Sequence, residues 1–246
     1  MALNARKIPS TGGNGMKNNT PPLDAGTYPV RLVQLIDLGV QEQRPYKGTE
    51  KPPAHMIKLT YEFLDEFMCD EDGNELEDKP RFMSEDFPFY PLEVENARST
   101  KRYHTLDPDE EFEGDFAQLI CTPAMLTVVC KPDKKDKDKI WNNVGDLAPM
   151  REKDIKKAPD LVNEPKVFDL EDPDMDVFNS LSSYVQDQIK ANLDFKGSVL
   201  EGLIKSSPKS PSKPGDDEPK KSKGKAKSKP KKADKGTDDS DEDDDW

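Results

Sequence analysis

The chain has 246 residues, enough for one large domain or two small ones, but only 33% of them are hydrophobic and 35% are charged. Part of the chain is therefore not expected to pack into a core. The charge is uneven: residues 1–204 carry 25 Lys and Arg against 39 Asp and Glu, residues 205–237 have a net charge of +8, and residues 238–246 one of −7. Three cysteines without a CxxC pair argue against a disulfide framework and against a zinc knuckle.

The composition changes predict four regions. Residues 1–24, rich in Gly, Asn, Pro and Thr, have the composition of a flexible arm, and residues 25–204 that of a folded domain. Residues 205–237 are dominated by Lys, Ser and Pro, which is typical of a disordered linker. Residues 238–246 form an acidic tip that closes with Trp246. No apolar run approaches the ~18–20 residues of a membrane span, so we expect a cytoplasmic protein that does not enter a membrane.

The first half of the predicted domain is rich in strand signals. Residues 26–40 are β-rich, and residues 55–67 alternate with a period of two, which predicts a half-buried strand. One side of that strand is apolar: Ile57, Leu59, Tyr61 and Phe63. The other side is polar: Lys58, Thr60 and Glu62. Asp72-Gly73 is a hairpin signal, and residues 81–89 are expected to form the returning strand.

The second half mixes strands with helices. Residues 114–120 suggest a short helix, and residues 124–130 and 140–149 suggest strands on either side of a charged turn. A helix is predicted to open at Pro173, with an apolar stripe at spacings of three and four. The stripe consists of Phe178, Leu181, Val185, Ile189 and Leu193. Hairpin-linked strands without βαβ alternation predict a mainly β fold: an OB-like small antiparallel barrel, or a curled sheet, with one or two helices.

Motifs for catalysis, metals and cofactors are not found in the sequence. There is no GxxxxGK[ST] loop and no GxGxxG, and the only histidines, His55 and His104, lie in polar sequence typical of surface residues. The acidic stretch around Gly73 does not fit an EF-hand, because position 1 of the loop would be Met68 and position 12 would be Lys79. We expect a protein that is not an enzyme and uses no metal or other cofactor.

Aromatic side chains beside cations are the remaining signal. Cations can follow the phosphates of a single strand, and aromatic faces can stack on its bases. The candidate DNA-binding residues are Arg44, Tyr46, Lys47, Arg98, Lys101, Arg102 and Tyr103. The alternative interpretation is that the aromatics fill the core and the cations are ordinary surface. The acidic charge of residues 1–204 opposes nucleic-acid binding, which is largely electrostatic.

The tip combines seven acids with one large aromatic side chain. The acids can steer the tip towards basic surfaces, and the indole offers ~150–250 Å² of apolar contact to a partner. We therefore predict a partner-binding tail formed by Asp238, Asp239, Asp241, Glu242, Asp243, Asp244, Asp245 and Trp246.

This layout of β-domain, linker and acidic, aromatic-ended tip resembles phage-type single-stranded-DNA-binding proteins. The resemblance covers roughly residues 22–204 and the tip, and includes the stretches "PPLDAGTYPVRLVQL", "NARSTKRYHTLDP" and "IKANLDFKGSVLEGLI". It implies an OB fold that binds single-stranded DNA without sequence preference in phage DNA replication or recombination, in the cytoplasm of a bacterial host. It also implies that the tip competes with DNA and recruits replication or recombination proteins. The acidic domain and the lysine-rich linker depart from the family pattern.

Two other functions stay open at this point. The chain could be a phage structural or assembly protein that does not bind DNA, with a tail that only confers solubility. It could also be a metal-dependent nuclease that uses pairs of Asp or Glu. The first predicts no DNA affinity at any salt concentration, and the second predicts metal-dependent turnover.

Overall fold

The computed structural model describes residues 20–137 and 139–206, all within one compact unit, Met1–Ser207. The predicted arm up to residue 19 lies outside the described residues, as do the predicted linker from residue 207 and the whole acidic tip. No helix among the described residues is long and apolar enough to cross a lipid bilayer.

The strands are β1 (Gly26–Gln41), β2 (Ala54–Cys69), β3 (Glu75–Pro88), β4 (Pro123–Pro132), β5 (Ile140–Pro149) and β6 (Lys166–Phe168). The helices are α1 (Arg98–Leu106), α2 (Glu152–Ile155), α3 (Met175–Ser180), α4 (Ser183–Lys190) and α5 (Val199–Ser206), with a 3-10 helix at Phe116–Leu119. The mainly β prediction is confirmed. Sequence analysis missed α1, α2, α5 and the short β6.

The sheet has the order β3-β2-β1-β4-β5, and its five main strands are antiparallel. Strand β1 pairs with β4 from Gly26 to Arg31, and then with β6, in parallel, from Gln34 to Ile36. A register shift against β2 lies between Leu32 and Gln34, where β1 changes neighbours. The register shift thus coincides with the point where β4 gives way to β6, and irregularities of this kind commonly bend a strand.

The inner core lies between the apolar side of the sheet and α1, which contributes Tyr103 and Leu106. Ile57, Leu59, Tyr61 and Phe63 are all buried, so the predicted apolar side of β2 is confirmed. The other members of this core are mainly Val30, Leu32, Phe87, Tyr103, Leu106, Phe116, Leu119, Leu126 and Val128.

A second core lies against the opposite side of β1. Ile36 and Leu38 of β1 pack there with side chains from the end of the chain: Phe168, Phe178, Leu181, Ile189 and Leu200. We call residues 159–206 the cover segment. Its attachment to β1 is partly polar, because Leu193 N donates to Val40 O at 2.9 Å and Gln41 Nε2 donates to Gln188 O at 2.9 Å.

The cover segment overturns the expectation that the polar side of β2 faces solvent. Lys58, Thr60 and Glu62 are 8%, 6% and 1% exposed. The Glu62 carboxylate accepts hydrogen bonds from Val162 N at 2.6 Å and from Asn163 Nδ2 at 2.8 Å. The period of two in the sequence assigned the β2 residues to the correct sides of the strand. It could not predict that both sides are buried, because some of the contacts come from residues far away in the chain.

The sheet is not closed into a barrel, which corrects the barrel form of the prediction. Strands β3 and β5 are joined through side chains of α1 instead of through strand pairing. The predicted long helix after Pro173 is also divided. It begins at Met175 and stops at Ser180, and a new helix begins at Ser183 after Ser182, whose hydroxyl accepts from Val185 N.

Candidate nucleic-acid interface

The loop between β1 and β2 carries the first group of predicted DNA-binding residues. Arg44, Tyr46 and Lys47 are all exposed, and 56% of Tyr46 is accessible to solvent. Tyr46 and Thr49 exchange two backbone hydrogen bonds of 2.9 Å, which form a tight turn. The Nζ atoms of Lys47 and Lys51 lie 5.6 Å and 5.0 Å from the centre of the Tyr46 ring. The turn therefore presents one aromatic face beside two cations.

The second predicted group lies on α1, and two of its members face inward. Arg102 is 5% exposed and Tyr103 is fully buried. Arg102 Nε lies 2.8 Å from Glu85 Oε1, and its Nη2 donates to the Gly145 carbonyl at 2.6 Å. Burial works against the charge of Arg102, but the hydrogen bond and the negative charge of Glu85 raise the pKa of the guanidinium.

Tyr103 belongs to the inner core instead of a stacking surface. Its hydroxyl donates to Asp107 Oδ2 at 2.8 Å and accepts from Gly114 N at 2.6 Å. Its ring centre lies 5.1 Å from that of Phe116. Arg102 and Tyr103 therefore have structural partners in the fold, and we remove both from the candidate DNA contacts.

The other two cations of α1 lie at the surface. Arg98 is partly exposed, with its Nε 2.8 Å from Glu85 Oε2 and its Nη2 donating to Val144 O at 3.2 Å. Lys101 is exposed on the same helix. The dense basic and aromatic cluster expected from the sequence is thus reduced to Lys101 and a paired Arg98.

The turn between β4 and β5 is a candidate that sequence reasoning missed. Trp141 is 49% exposed, and Lys139 Nζ lies 4.1 Å from its ring centre. The indole Nε1 donates to Asp133 Oδ2 at 2.8 Å, and this bond contributes most to a lowered pKa of Asp133. The ring is therefore held at one edge while part of its surface stays open.

Five exposed lysines surround this turn: Lys131, Lys134, Lys135, Lys137 and Lys139. The sequence signal was present, since these lysines fall within nine residues and a tryptophan follows two positions later. From the sequence alone, the stretch is predicted as a charged turn and the tryptophan as part of a strand.

The two aromatic turns lie at opposite ends of β1. The β1–β2 loop follows Gln41, the last residue of β1. Gly26, the first residue of β1, pairs with Val128 of β4, and the lysine-rich turn follows a few residues after Val128. In OB folds the loops in these two chain positions frame the ligand-binding face. The sheet thus separates two exposed aromatic sites, each beside lysines.

No group of three or more His, Cys, Asp or Glu side chains within residues 20–137 and 139–206 is placed to hold a metal ion. The predicted tail residues, Asp238 to Trp246, lie outside the described part of the chain.

Comparison with known proteins gave no relative: no family model, no curated protein and no solved structure matches this chain.

Proposed function

We propose that this protein binds single-stranded DNA without sequence preference and serves phage DNA replication or recombination. The observation that carries the proposal is the pair of exposed aromatic side chains beside lysines, Tyr46 in the β1–β2 loop and Trp141 at the β4–β5 turn. Stacking on a base needs an open ring face, and a neighbouring cation favours the adjacent phosphate.

The position of the two turns supports the same function. OB-like sheets bind oligonucleotides with the loops between the first two and the last two strands. Here those loops hold Arg44, Tyr46, Lys47 and Lys51 at one end of β1, and Lys139 with Trp141 at the other.

The local charge of these turns answers the objection raised by the acidic domain. Residues 131–139 of the β4–β5 turn hold five lysines against three aspartates, a net charge of +2, so phosphate contact is favoured there in spite of the overall charge. The usual OB path along the outer side of β2 is occupied, because the cover segment contacts Glu62 through Val162 and Asn163 and places the Tyr184 ring 6.0 Å from Lys58 Nζ. We therefore assign the DNA contacts to the two turns, with Lys101 as a further phosphate contact.

The acidic tip is assigned a regulatory role in the same proposal. Residues 238–246 combine carboxylates, which resemble phosphates in charge, with an indole, which resembles a base in shape and stacking. They compete with single-stranded DNA, and they recruit a replication or recombination protein when DNA is bound.

Fluorescence anisotropy with labelled oligo-dT and a matched duplex tests the proposal. We expect tighter binding of the single strand, and an affinity that falls steeply between about 50 and 200 mM salt as counterion release is suppressed. Equal affinity for both forms would contradict it, and no affinity for either would favour a structural or assembly protein. Parallel reactions with and without Mg²⁺ would reveal a nuclease, since only a nuclease shortens the labelled strand.

A further inference from the structure

A cleft with an apolar floor lies at the end of β1 that pairs with β6. Its volume is about 320 Å³, which is large enough for one long side chain. The floor is formed by Leu35, Ile57, Phe89, Phe116 and Val167. The cleft is therefore lined by residues of β1, β2, the 3-10 helix and β6, which belongs to the cover segment.

The aromatic part of the floor is ordered by ring contacts. The rings of Phe89 and Phe116 meet edge to face with their centres 4.9 Å apart, and the His55 ring lies 5.9 Å from that of Phe89. Phe116 is buried, whereas 38% of Phe89 is accessible. A planar group entering the cleft would thus meet an aromatic side chain that is already held in place.

The rim of the cleft is acidic. Asp37, Asp115, Asp169 and Glu171 line it, and no lysine or arginine of the described chain does so. His55 Nε2 lies 2.6 Å from Asp37 Oδ1, and this hydrogen bond raises the pKa of His55 against the effect of burial. None of the described lysines or arginines forms an ion pair with Asp115, Asp169 or Glu171.

We propose that this cleft is a docking site for an arginine side chain presented by a basic segment of a partner protein. The apolar floor suits the methylene stem and the flat face of a guanidinium, which stacks on aromatic rings. The carboxylates of Asp169 and Glu171 at the rim can accept its hydrogen bonds in pairs. Lysine fits less well, because its compact ammonium is strongly hydrated and cannot stack.

The charge of the cleft separates it from the proposed DNA-binding turns. Its carboxylates repel phosphates, so DNA is not a candidate occupant, and the cleft can be filled while DNA is bound elsewhere. The inference does not depend on the proposed function.

The test uses the full chain and a short peptide, acetyl-Gly-Arg-Gly-Arg-Gly-amide. Two control peptides replace both arginines, one with citrulline, which keeps the shape without the charge, and one with lysine. Binding is followed by NMR, with the ring signals of His55 as the local reporter, because the seven acids of the tip offer a second place for a basic peptide. We expect the arginine peptide to shift the His55 signals, the lysine peptide to bind more weakly, and the citrulline peptide to leave them unchanged.

Variants then locate the binding. The double substitution Asp169→Asn with Glu171→Gln removes two negative charges from the rim, and Asp72→Asn with Glu75→Gln removes two from the β2–β3 turn at the far end of β2. All four side chains are exposed, so both variants are expected to fold, and thermal unfolding checks this. The rim variant should weaken binding about tenfold, the loss expected for one charge-assisted hydrogen bond. The turn variant should leave binding unchanged.

Three outcomes overturn the proposal. They are equal affinity of the rim and turn variants, His55 signals that do not respond to the arginine peptide, and equal binding of the citrulline peptide. The first two would place any bound peptide elsewhere on the chain, the third would show that the cleft does not recognise the charge of arginine, and none of them depends on whether the protein binds DNA.

Discussion

Arg102 and Glu85 form a buried ion pair in which Nε lies 2.8 Å from Oε1 and the two side chains are 6% and 5% exposed. Arg102 also reaches the Gly145 carbonyl, so one guanidinium joins the edges of β3 and β5 where the sheet is not closed by strand pairing. Removal of Arg102 would leave the buried Glu85 with the half-exposed Arg98 as its remaining ion-pair partner among the described residues, and would take this donor from the Gly145 carbonyl. The function of this arginine is therefore to hold the sheet edges together.

We expect Arg102→Ala to lower the free energy of unfolding by about 3 kcal/mol, the lower end of the range for a broken buried pair, because Arg98 still pairs with Glu85. Lys101→Ala is the matched control on the same helix, and its exposed side chain should change stability by less than about 0.5 kcal/mol. Urea unfolding followed by circular dichroism measures both. Equal midpoints for the two variants would show that the pair does not hold the fold.

The proposed DNA contacts can be tested at the two aromatic turns. Tyr46→Ala and Trp141→Ala should each weaken binding of oligo-dT by about 1–3 kcal/mol, the range for one lost base stack. Tyr90→Ala is the control, because Tyr90 is 41% exposed but forms no cation–π pair with a described lysine or arginine. Anisotropy titrations that give the same affinity for all three variants would contradict our assignment of the path.

Local sequence patterns predicted the strands of the sheet, but they did not predict which residues of those strands are exposed to solvent. The period of two in β2 gave the strand and its inner side, and the β4 and β5 strands followed from apolar runs on either side of a charged turn. The burial of the outer side of β2 depends on long-range contacts. One of them joins the Glu62 carboxylate to Val162 N, a hundred residues later in the chain. No local pattern contains that information.

The candidate site shows the same limit. Arg102 and Tyr103 looked like a basic and aromatic surface, because the sequence analysis did not predict α1. On that helix Arg102 reaches Glu85 and Tyr103 reaches Asp107, so an apparent recognition motif is part of the internal packing. Trp141 was missed for a different reason, since the sequence places it in a predicted strand, apart from the lysines of the preceding turn.

Gly39 should be sensitive to substitution, because it has φ +70 and an added Cβ would lie 2.2 Å from Asn192 Nδ2. Asn192 cannot move freely, since its Oδ1 accepts from Val40 N at 3.0 Å. We expect Gly39→Ala to cost the ~1–2 kcal/mol of left-handed backbone strain and a further loss of packing between β1 and the cover segment.

The control for this substitution is Gly73→Ala. Gly73 has φ +86 and no atom within 4 Å of an added Cβ, so it isolates the backbone strain. Thermal unfolding of both variants gives the difference. If Gly39→Ala is no more destabilising than Gly73→Ala, the contact with Asn192 does not constrain the cover segment.

His55 should make stability depend on pH. Its pKa in the folded protein is raised above 6.5, mainly by the hydrogen bond with Asp37, with Asp169 and Glu171 adding to the effect. A raised pKa contributes stability that is fully present below the unfolded pKa and is lost as the pH rises through the folded pKa. The free energy of unfolding of the native protein relative to His55→Asn should therefore fall as the pH rises above about 6.5.

Asp37→Asn provides the control, because it removes the carboxylate that raises the pKa. In the Asp37→Asn background, the effect of His55→Asn on the free energy of unfolding should change less with pH over the same range. A double-mutant cycle measured by urea unfolding gives this quantity. A difference between native protein and His55→Asn that does not change with pH would rule out this linkage.

The acidic tip makes the last prediction. If residues 238–246 compete with single-stranded DNA, their deletion should raise the affinity for oligo-dT, and more so at low salt, where charges are least screened. Residues 205–237 would then act as a tether that keeps the tip at a high effective concentration, so the competition should be independent of protein concentration. Replacement of the seven acids by Asn and Gln should reproduce the effect of the deletion, since the competition is electrostatic.

Trp246→Ala separates the two roles of the tip. The acids remain, so the affinity for DNA should change little, whereas binding of a replication or recombination protein should fall because the apolar contact is lost. Anisotropy gives the first quantity, and co-purification with proteins of the replicating host cell gives the second. An unchanged DNA affinity after deletion of the tip at about 50 mM salt, where phosphate contacts are strong, would contradict the competition and leave the acids with a solubilising role.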